Sequence, residues 1–400
     1  MVVGAGFVGL AAARRLAENR PSSKIILIEA QEAGEGASGR NSGFVIDVPH
    51  KLSDLNASRC HLRLNHAGID YLRKQVEQHK IACDWSQAGK YQAAITNLGV
   101  REILEPTSKE FDSLGQPYIW CDRAELKKRL GSDHFTAAIY TPGTVLVNPA
   151  ALTRGLADTL PENVTLFEQS PVIKTDYNDK VELKTPNGSI SAGGMILAVN
   201  SFAEQFGFYQ GRLLVFAVNA SLSRCLTQRE YEVLGRVDPW GLTPANPRAG
   251  IGATVRLTPD LRILIRQTAA FCPSFRQSDD HRRKVQLEHK RLLNERFPLL
   301  PEVNLEYTWT GYICVSGNGS PGFGRVAPNV YAAVCDNGVG VVKGTISGLL
   351  GADMACGLDN PLIADMQALG APNRLPPRPF LDIGAHTRLA WSRWRGRVEE

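Results

Sequence analysis

The sequence predicts a two-lobed α/β protein, with a Rossmann-like nucleotide-binding domain assembled from discontinuous segments and a second domain built on a mixed or antiparallel sheet. The first observation is a buried strand, a glycine turn and an Ala/Leu-rich helix within residues 1–18. The second is another strand, Gly-rich loop and helix at residues 330–356, and the third is the run of short strand-like segments between them. The chain has 400 residues, of which 43% are hydrophobic, enough to form two cores.

Charge and cysteine usage limit the classes of function. The formal net charge is +5, and the 45 Lys and Arg residues are spread among 40 Asp and Glu residues, so we expect no nucleic-acid partner. The eight cysteines form no C-x-x-C pair, which predicts reduced thiols, no metal site and a cytoplasmic location. No apolar run approaches the ~20 residues of a membrane span, and we expect no membrane contact.

The N-terminal elements alternate between strand and helix. Met1–Val3 predicts a buried strand, and residues 8–18 predict a helix. Residues 24–29 (KIILIE) predict a second buried strand, and apolar residues at helical spacing within 52–81 predict one or two long helices. Residues 85–146 alternate as strands do, notably at 90–96, and contain a charged helix at 123–130.

The remaining elements are predicted from caps, turns and apolar runs. Asn148 and Ser278 are expected to cap helices, the first of them at residues 150–160. Pro186-Asn187-Gly188 is expected to be the turn of a hairpin within 164–199. The other predicted elements are strands at 195–199, 212–220, 262–267 and 330–335, a helix at 345–356, and an extended strap at 372–379.

These elements divide into two domains. We assign residues 1–83, 148–209 and 326–385 to the nucleotide-binding domain, 84–147 and 210–325 to a substrate domain, and 386–400 to a tail. The tail carries basic residues interleaved with Trp391 and Trp394. Packing on the domain or fraying in solvent is favoured over contact with an anionic membrane surface.

A first motif, Gly4-Ala5-Gly6-Phe7-Val8-Gly9, lies between the predicted strand and helix. Such glycines permit a tight turn, the approach of a pyrophosphate to the helix N-terminus, and close packing of helix on strand. Glu29 follows Gly9 by 20 residues, at the end of the second strand, where a carboxylate accepts hydrogen bonds from ribose hydroxyls. A tight turn alone does not explain all these features, so a dinucleotide site is predicted, and Glu29 disfavours NADP.

A second motif, Gly36-Ala37-Ser38-Gly39-Arg40-Asn41-Ser42-Gly43, follows soon after. With it, the chain resembles the FAD-dependent oxidoreductases of the D-amino-acid oxidase/glycine oxidase superfamily, and the loop is most similar to the gamma-glutamylputrescine oxidase-like branch. The resemblance implies that this loop follows the pyrophosphate and ribityl chain of FAD and continues beside the flavin ring. A surface loop with a solvated Arg40 is the alternative.

Later segments extend the resemblance. It implies that Val172 contacts the adenine, that the strand end at Ala198 and Asn200 passes the pyrophosphate, and that the loop at 336–344 meets the pyrimidine edge of the flavin. Val199 stands where Thr is usual, and the acidic residue common near 317–318 is missing. The predicted FAD-binding residues are Gly4, Gly6, Phe7, Val8, Gly9, Glu29, Ala30, Gly36, Ala37, Ser38, Arg40, Asn41, Ser42, Gly43, Val172, Ala198, Asn200, Gly338, Gly340, Val341, Val342 and Lys343.

FAD would supply the redox chemistry, so the resemblance implies an enzyme that oxidises an amine or amino-acid derivative. A hydride would pass from the carbon next to nitrogen to flavin N5, the imine would be hydrolysed, and O2 or another acceptor would take the electrons. The candidate catalytic residues are His50, Lys343, Trp309 and Tyr312. Arg256 and Arg266 are further candidate substrate contacts, although a strand arginine is more often solvated and Trp309 could belong to the core.

Two other functions stay open. One is a flavin-dependent dehydrogenase of hydroxy acids or glycerol phosphate, because fold does not fix function. The other is a flavin-binding regulatory or subunit protein without turnover.

Cys314 does not match the position at which some relatives attach flavin covalently, so noncovalent FAD is expected. Relatives usually have more residues before Gly4, so we expect the first strand to be short in this chain.

Overall fold

A computed structural model describes residues 1–49, 54–245, 252–396 and 399. The strands are β1 (Val2–Val3), β2 (Ile25–Ile28), β3 (Phe44–Val45), β4 (Lys90–Ala94), β5 (Ile119–Asp122), β6 (Ala137–Thr141), β7 (Val145–Leu146), β8 (Val164–Phe167), β9 (Lys174–Tyr177), β10 (Val181–Thr185), β11 (Gly188–Ala192), β12 (Met195–Leu197), β13 (Leu213–Ser223), β14 (Trp240–Pro244), β15 (Thr254–Leu257), β16 (Ile263–Phe271), β17 (Leu305–Ser316), β18 (Gly322–Ala327) and β19 (Val330–Val334). The helices are α1 (Phe7–Asn19), α2 (Ala37–Arg40), α3 (Leu55–His79), α4 (Asn97–Gly99), α5 (Glu105–Leu114), α6 (Arg123–Leu130), α7 (Pro149–Asp158), α8 (Gln228–Val233), α9 (Asp279–Arg296), α10 (Gly340–Ala355), α11 (Pro361–Ala368) and α12 (Phe380–Gly396), with a π-helical turn at Val100–Leu104 and a 3-10 turn at Asn200–Phe206.

The nucleotide-binding region is built on a six-stranded sheet in the order β18-β19-β12-β1-β2-β8. The five strands from β19 to β8 are parallel, and β18 pairs antiparallel at one edge. Val2 and Val3 of the central strand are both buried and lie in separate cores, one shared with α1, α3 and α10 and the other on the opposite face. Burial of both faces explains the continuous apolar runs in the sequence and confirms the predicted α/β class.

Helix α10 begins at Gly340, five residues before the predicted start at Thr345. The glycines that suggested a loop instead permit close packing against α1. A Cβ atom on Gly344 would lie 3.0 Å from Val8 Cγ2, and one on Gly348 would overlap the Val8 carbonyl. Tertiary packing therefore overrides the low helix propensity of glycine here.

A single long helix, α3, fills most of the segment predicted as one or two helices. The Asp54 side chain caps it by accepting hydrogen bonds from the amides of Asn56 and Ala57. A Cβ atom on Gly68 would lie 2.9 Å from the Val342 carbonyl oxygen, so α3 also packs closely on α10.

An eight-stranded mixed sheet forms the second lobe, in the order β17-β13-β16-β15-β14-β4-β6-β5. Among the described strands of this sheet, only the β14–β4 pair is parallel. Helix α9 packs against β16, β13 and β17, and its N-terminus is capped by Ser278 as predicted. The strands predicted at 212–220 and 262–267 extend to Ser223 and Phe271, because pairing between them continues along almost their whole length.

Smaller predicted features are also present. The hairpin β10–β11 turns at Pro186 and Asn187, and Asn148 caps α7 through the amide of Ala151. The strap at 372–377 contains no helix or strand, and the amide of Leu375 donates to the Gly211 carbonyl oxygen. Two proposed domain boundaries, at residues 326 and 385, lie inside β18 and α12.

In the described parts of the chain, no helix combines the length and apolar character needed to cross a membrane.

Candidate functional site

The Gly4–Gly9 turn is closed by contacts that leave no room for side chains. Gly4 has a φ of 99°, and a Cβ atom there would lie 2.6 Å from the Ala198 carbonyl oxygen. A Cβ atom on Gly9 would overlap the carbonyl oxygen of Gly4. The first turn of α1 therefore lies directly above the end of β1, and the N-terminus of a helix at such a turn suits a pyrophosphate.

Glu29 lies beside this turn. Its Oε2 atom accepts a hydrogen bond of 2.8 Å from the amide of Ala5, and its Oε1 atom accepts one of 3.0 Å from the amide of Gln31. Ala30, the next residue, is exposed. The carboxylate thus holds the glycine turn against the end of β2, in addition to any contact with a ribose.

The second glycine-rich segment forms the short helix α2, and its polar side chains connect it to the turn. Ser38 Oγ accepts a hydrogen bond of 3.0 Å from the amide of Phe7, and a Cβ atom on Gly6 would lie 2.5 Å from that oxygen. Asn41 donates to the Ser38 carbonyl oxygen and accepts from the amide of Gly43. The two motifs therefore form one continuous polar surface.

Arg40 connects this surface to the second lobe. Its guanidinium forms an ion pair of 3.1 Å with Glu35 and donates to the carbonyl oxygen of Thr310 at 3.1 Å. The Trp309 indole nitrogen donates to the Arg40 carbonyl oxygen at 3.0 Å. Trp309 thus supports the loop that the sequence assigned to the cofactor.

The first turn of α10 brings three titratable groups together. Burial raises the pKa of Asp336 to about 7 and lowers that of Lys343 to about 8, although each charge partly stabilises the other. Burial and the charge of Lys343 lower the pKa of His61, on α3, to about 3. At neutral pH, Lys343 therefore supplies positive charge next to a neutral imidazole.

A cavity of about 1030 Å³ lies between the two lobes. One side is formed by α2, α3 and the start of α10, through residues that include Asn41, His61 and Lys343. The other side is formed by the eight-stranded sheet, including Arg266 and Gly311. Residues of both lobes therefore enclose a space large enough for a ring system and a small substrate.

Arg266 has an unusual environment within this cavity. Its Nη2 atom donates to Thr254 Oγ1 at 2.8 Å, and within the described ranges no carboxylate pairs with it. Removal from water lowers its pKa to about 10, so it stays charged at neutral pH. A half-buried guanidinium without an anionic partner is suited to binding an anion.

The other candidates lie elsewhere. Arg256 donates to the carbonyl oxygens of Ser42 and Val147 and does not line the cavity. Tyr312 also lies outside the lining, and its ring contacts Phe275 at 5.6 Å between centroids. His50 lies outside the described residues.

The residues expected near the adenine and pyrophosphate have different environments. Val172 is half-buried against the core on the outer face of the six-stranded sheet. Ala198 lies against Gly4, and the amide oxygen of Asn200 is buried without a hydrogen-bond partner in the described structure. Such a buried oxygen is available to a ligand.

Two residues of the site were not recognised from the sequence. His61 precedes Gly68 by two helical turns on α3, so both face α10, and that spacing is a usable signal. Asp336 belongs to the glycine-rich motif at 336–344, but nothing in its local sequence indicates that its carboxyl group is removed from water.

Comparison with known proteins places this geometry in a family. The sequence profile of the family described as DAO, FAD dependent oxidoreductase, matches residues 1–354. The chain is 27% identical to the probable oxidoreductase OrdL of Haemophilus influenzae, across 96% of this chain and 88% of that protein. It is 26% identical to the gamma-glutamylputrescine oxidoreductase of Escherichia coli, across 95% and 87% of the two chains.

Solved structures show the same fold. Glycine oxidase from Geobacillus kaustophilus superposes with a TM-score of 0.78 at 18% identity, covering 94% of this chain and 98% of that one. L-proline dehydrogenase from P. horikoshii superposes with a TM-score of 0.74 at 18% identity, covering 93% and 98%. The family profile covers most of the chain, including both glycine-rich motifs and the start of α10, and the protein therefore belongs to the FAD-dependent oxidoreductases of the DAO family.

Proposed function

We propose that this enzyme oxidises the C–N bond of an amine or amino-acid derivative, and that water hydrolyses the resulting imine. Two observations from relatives support this substrate class: one similar protein is named for gamma-glutamylputrescine, and one structural neighbour is a glycine oxidase. The observation in this chain that carries the proposal is the cavity between the lobes, where Arg266 faces the elements predicted to hold the flavin. O2 or another acceptor would take the electrons.

The residues present fit FAD. The glycine turn and the free amides of α1 suit a pyrophosphate, and the second motif continues from it toward the cavity. Asn200, whose amide oxygen has no partner in the described structure, follows Ala198, and Ala198 lies against Gly4 of the turn. We propose that these groups hold FAD noncovalently, with the flavin ring in the cavity beside the start of α10.

Bound FAD would supply the hydride-accepting chemistry, which adds negative charge to the site. Lys343 and the N-terminus of α10 place positive charge at the edge of the cavity where that charge would develop. His61 stays neutral, because its pKa lies near 3, and can accept or donate a hydrogen bond without adding charge.

Arg266 would orient the substrate. A carboxylate of an amino-acid derivative would form a charge-assisted hydrogen bond with this guanidinium, which keeps its charge throughout the neutral range. The carbon next to nitrogen would then be held at a fixed place in the cavity. Fixing the reacting bond in this way supplies much of the rate enhancement in enzymes of this kind.

Anaerobic mixing of the purified holoenzyme with a panel of amines and amino acids tests the proposal. We expect the visible absorption band of oxidised flavin to bleach with at least one amine, and an aldehyde or keto acid to form. A parallel panel of hydroxy acids and glycerol phosphate should leave the band unchanged.

Each other outcome favours a different function. Bleaching by hydroxy acids or glycerol phosphate alone would favour a dehydrogenase of those compounds. No bleaching with either panel would contradict the proposal and favour a flavin-binding protein without turnover.

Glu29→Gln is expected to raise the Kd for FAD about tenfold, because a neutral amide accepts weaker hydrogen bonds from the Ala5 and Gln31 amides and from a ribose. Titration of the apoprotein with FAD, followed by flavin fluorescence, measures this. Glu182→Gln, on the exposed side of β10, is the matched control. An unchanged Kd in Glu29→Gln would show that the carboxylate does not support the cofactor site.

A further inference from the structure

The C-terminal helix α12 crosses the cavity. Residues on one face of it line the space, at helical spacing, and its residues are otherwise half-buried or exposed. The lining residues of this helix are Ala385, Arg388, Leu389, Trp391, Ser392, Arg395 and Gly396. The helix is therefore a wall of the cavity and not a frayed tail.

A carboxylate that follows α12 binds to the lobe of the eight-stranded sheet, just after β4. Glu399 is 8% exposed, and its side chain accepts hydrogen bonds from the amides of Ile95 at 2.8 Å and Thr96 at 3.0 Å. It also accepts from the Thr96 hydroxyl. A Cβ atom on Gly99 would overlap this carboxylate, so the site on the chain at 95–99 is shaped for it.

Two contacts hold the middle of α12 on the sheet next to Arg266. Arg393 donates to the Ala269 carbonyl oxygen at 2.7 Å, and the His386 ring contacts the Phe271 ring at 5.7 Å between centroids. Ala269 lies on β16, three residues after Arg266. Helix α12 therefore packs on the strand that carries Arg266, and Arg266 and Arg388 both line the cavity.

The charges on the lining are unequal. Among the described residues, five cationic side chains and two carboxylates line the cavity: Arg40, Arg266, Lys343, Arg388, Arg395, Glu102 and Glu399. Arg40 is paired with Glu35, Lys343 lies near Asp336, and Arg395 stacks over the Trp391 ring at 5.0 Å. Glu399 already accepts hydrogen bonds from the main chain.

Arg388 differs from these groups. Its side chain is exposed on the cavity face of α12, and throughout residues 1–49, 54–245, 252–396 and 399 no carboxylate pairs with it. Glu102, which also lines the cavity, is exposed as well. Excess positive charge on the described lining of the cavity favours a ligand with a negatively charged group.

We propose that α12, fastened by Glu399, is part of the substrate site, and that Arg388 is a specificity-determining residue that binds an anionic group of the substrate together with Arg266. The inference rests on the proposed function only in assigning the cavity to the substrate. Arg388 would favour the binding of amines that carry a carboxylate or a similar anion over amines of the same length without one. Fastening by Glu399 holds Arg388 in place before the substrate arrives, which lowers the entropic cost of binding.

Isothermal titration calorimetry of the holoenzyme with glutarate and with uncharged glutaramide tests the inference without requiring turnover. The wild-type protein is expected to bind glutarate more tightly than glutaramide. Arg388→Ala should raise the Kd for glutarate about tenfold, because the variant loses one charge-assisted hydrogen bond. The Kd for glutaramide should stay unchanged. Arg388→Lys should recover part of the loss.

Arg283→Ala is the matched control, because Arg283 lies on the exposed surface of α9 and pairs with Asp280. It should bind glutarate as the wild type does. Glu399→Ala should raise the Kd for glutarate by a smaller factor and accelerate amide hydrogen exchange in residues 380–396. Equal binding of the two ligands by the wild type, or an unchanged Kd in Arg388→Ala, would overturn the inference, whatever the amine panel shows.

Discussion

Gly9→Ala is expected to yield protein with less than about one tenth of the FAD content of the wild type, because the new Cβ atom would overlap the Gly4 carbonyl oxygen. Helix α1 would have to move away from β1, and its free amides would leave the pyrophosphate position. The ratio of flavin to protein absorbance after purification measures the FAD content, and circular dichroism measures the accompanying fall in Tm.

Gly188→Ala provides the control for this substitution. A Cβ atom at Gly188 meets nothing within 4 Å, so this variant should retain full FAD content. Gly6→Ala gives an intermediate case, because its Cβ atom would meet only the Ser38 hydroxyl at 2.5 Å. The double variant with Ser38→Ala should recover binding. Full FAD content in Gly9→Ala would refute the role assigned to the turn.

Lys343→Met is expected to lower kcat about a hundredfold while FAD stays bound, because the variant loses the positive charge beside the start of α10. Stopped-flow measurement of flavin bleaching with the best amine of the panel reports the rate. Lys284→Met, which removes an exposed lysine from α9, should leave it unchanged. A rate within threefold of the wild type would contradict the proposed role.

The same residue predicts a pH dependence. Because the pKa of Lys343 is lowered to about 8, its charge is present below that pH and lost above it. The wild-type rate should therefore fall as the pH rises through about 8. Lys343→Arg keeps its charge and should move this fall to higher pH, and Lys343→Met should lack it. A wild-type rate that rises through pH 8 would show that the neutral amine of Lys343 is the active form.

Elements with a strong local signal were predicted closely. Helix α6 has the predicted bounds, and α1 and β2 differ by one residue at each end. The caps Asn148 and Ser278 act as predicted, since a side-chain oxygen reaches an amide only three residues away. These elements depend on contacts within a few residues along the chain.

The start of α10 and the fate of the C-terminal tail were not predicted in this way. Gly340 and Gly344 lie in a helix because α1 and Asp336 pack close to them. Residues 386–396 of the tail belong to a helix that lines the cavity, and Glu399 is held by amides about three hundred residues away. Such contacts have no counterpart in local periodicity.

The sequence by itself determined the fold class and the glycine turn with Glu29, because these are encoded by residue types at fixed spacing. The dependence on FAD was implied by the resemblance of the second and later motifs to a known family. Tertiary structure decided which side chains share the cavity. Tyr312 and Arg256 lie outside the cavity lining, whereas Lys343 and Arg266 belong to it. The lining also includes His61 and one face of α12, and Asp336 lies next to it. The reason is physical: the charge state of a buried group and the direction of a side chain depend on neighbours brought together only by folding.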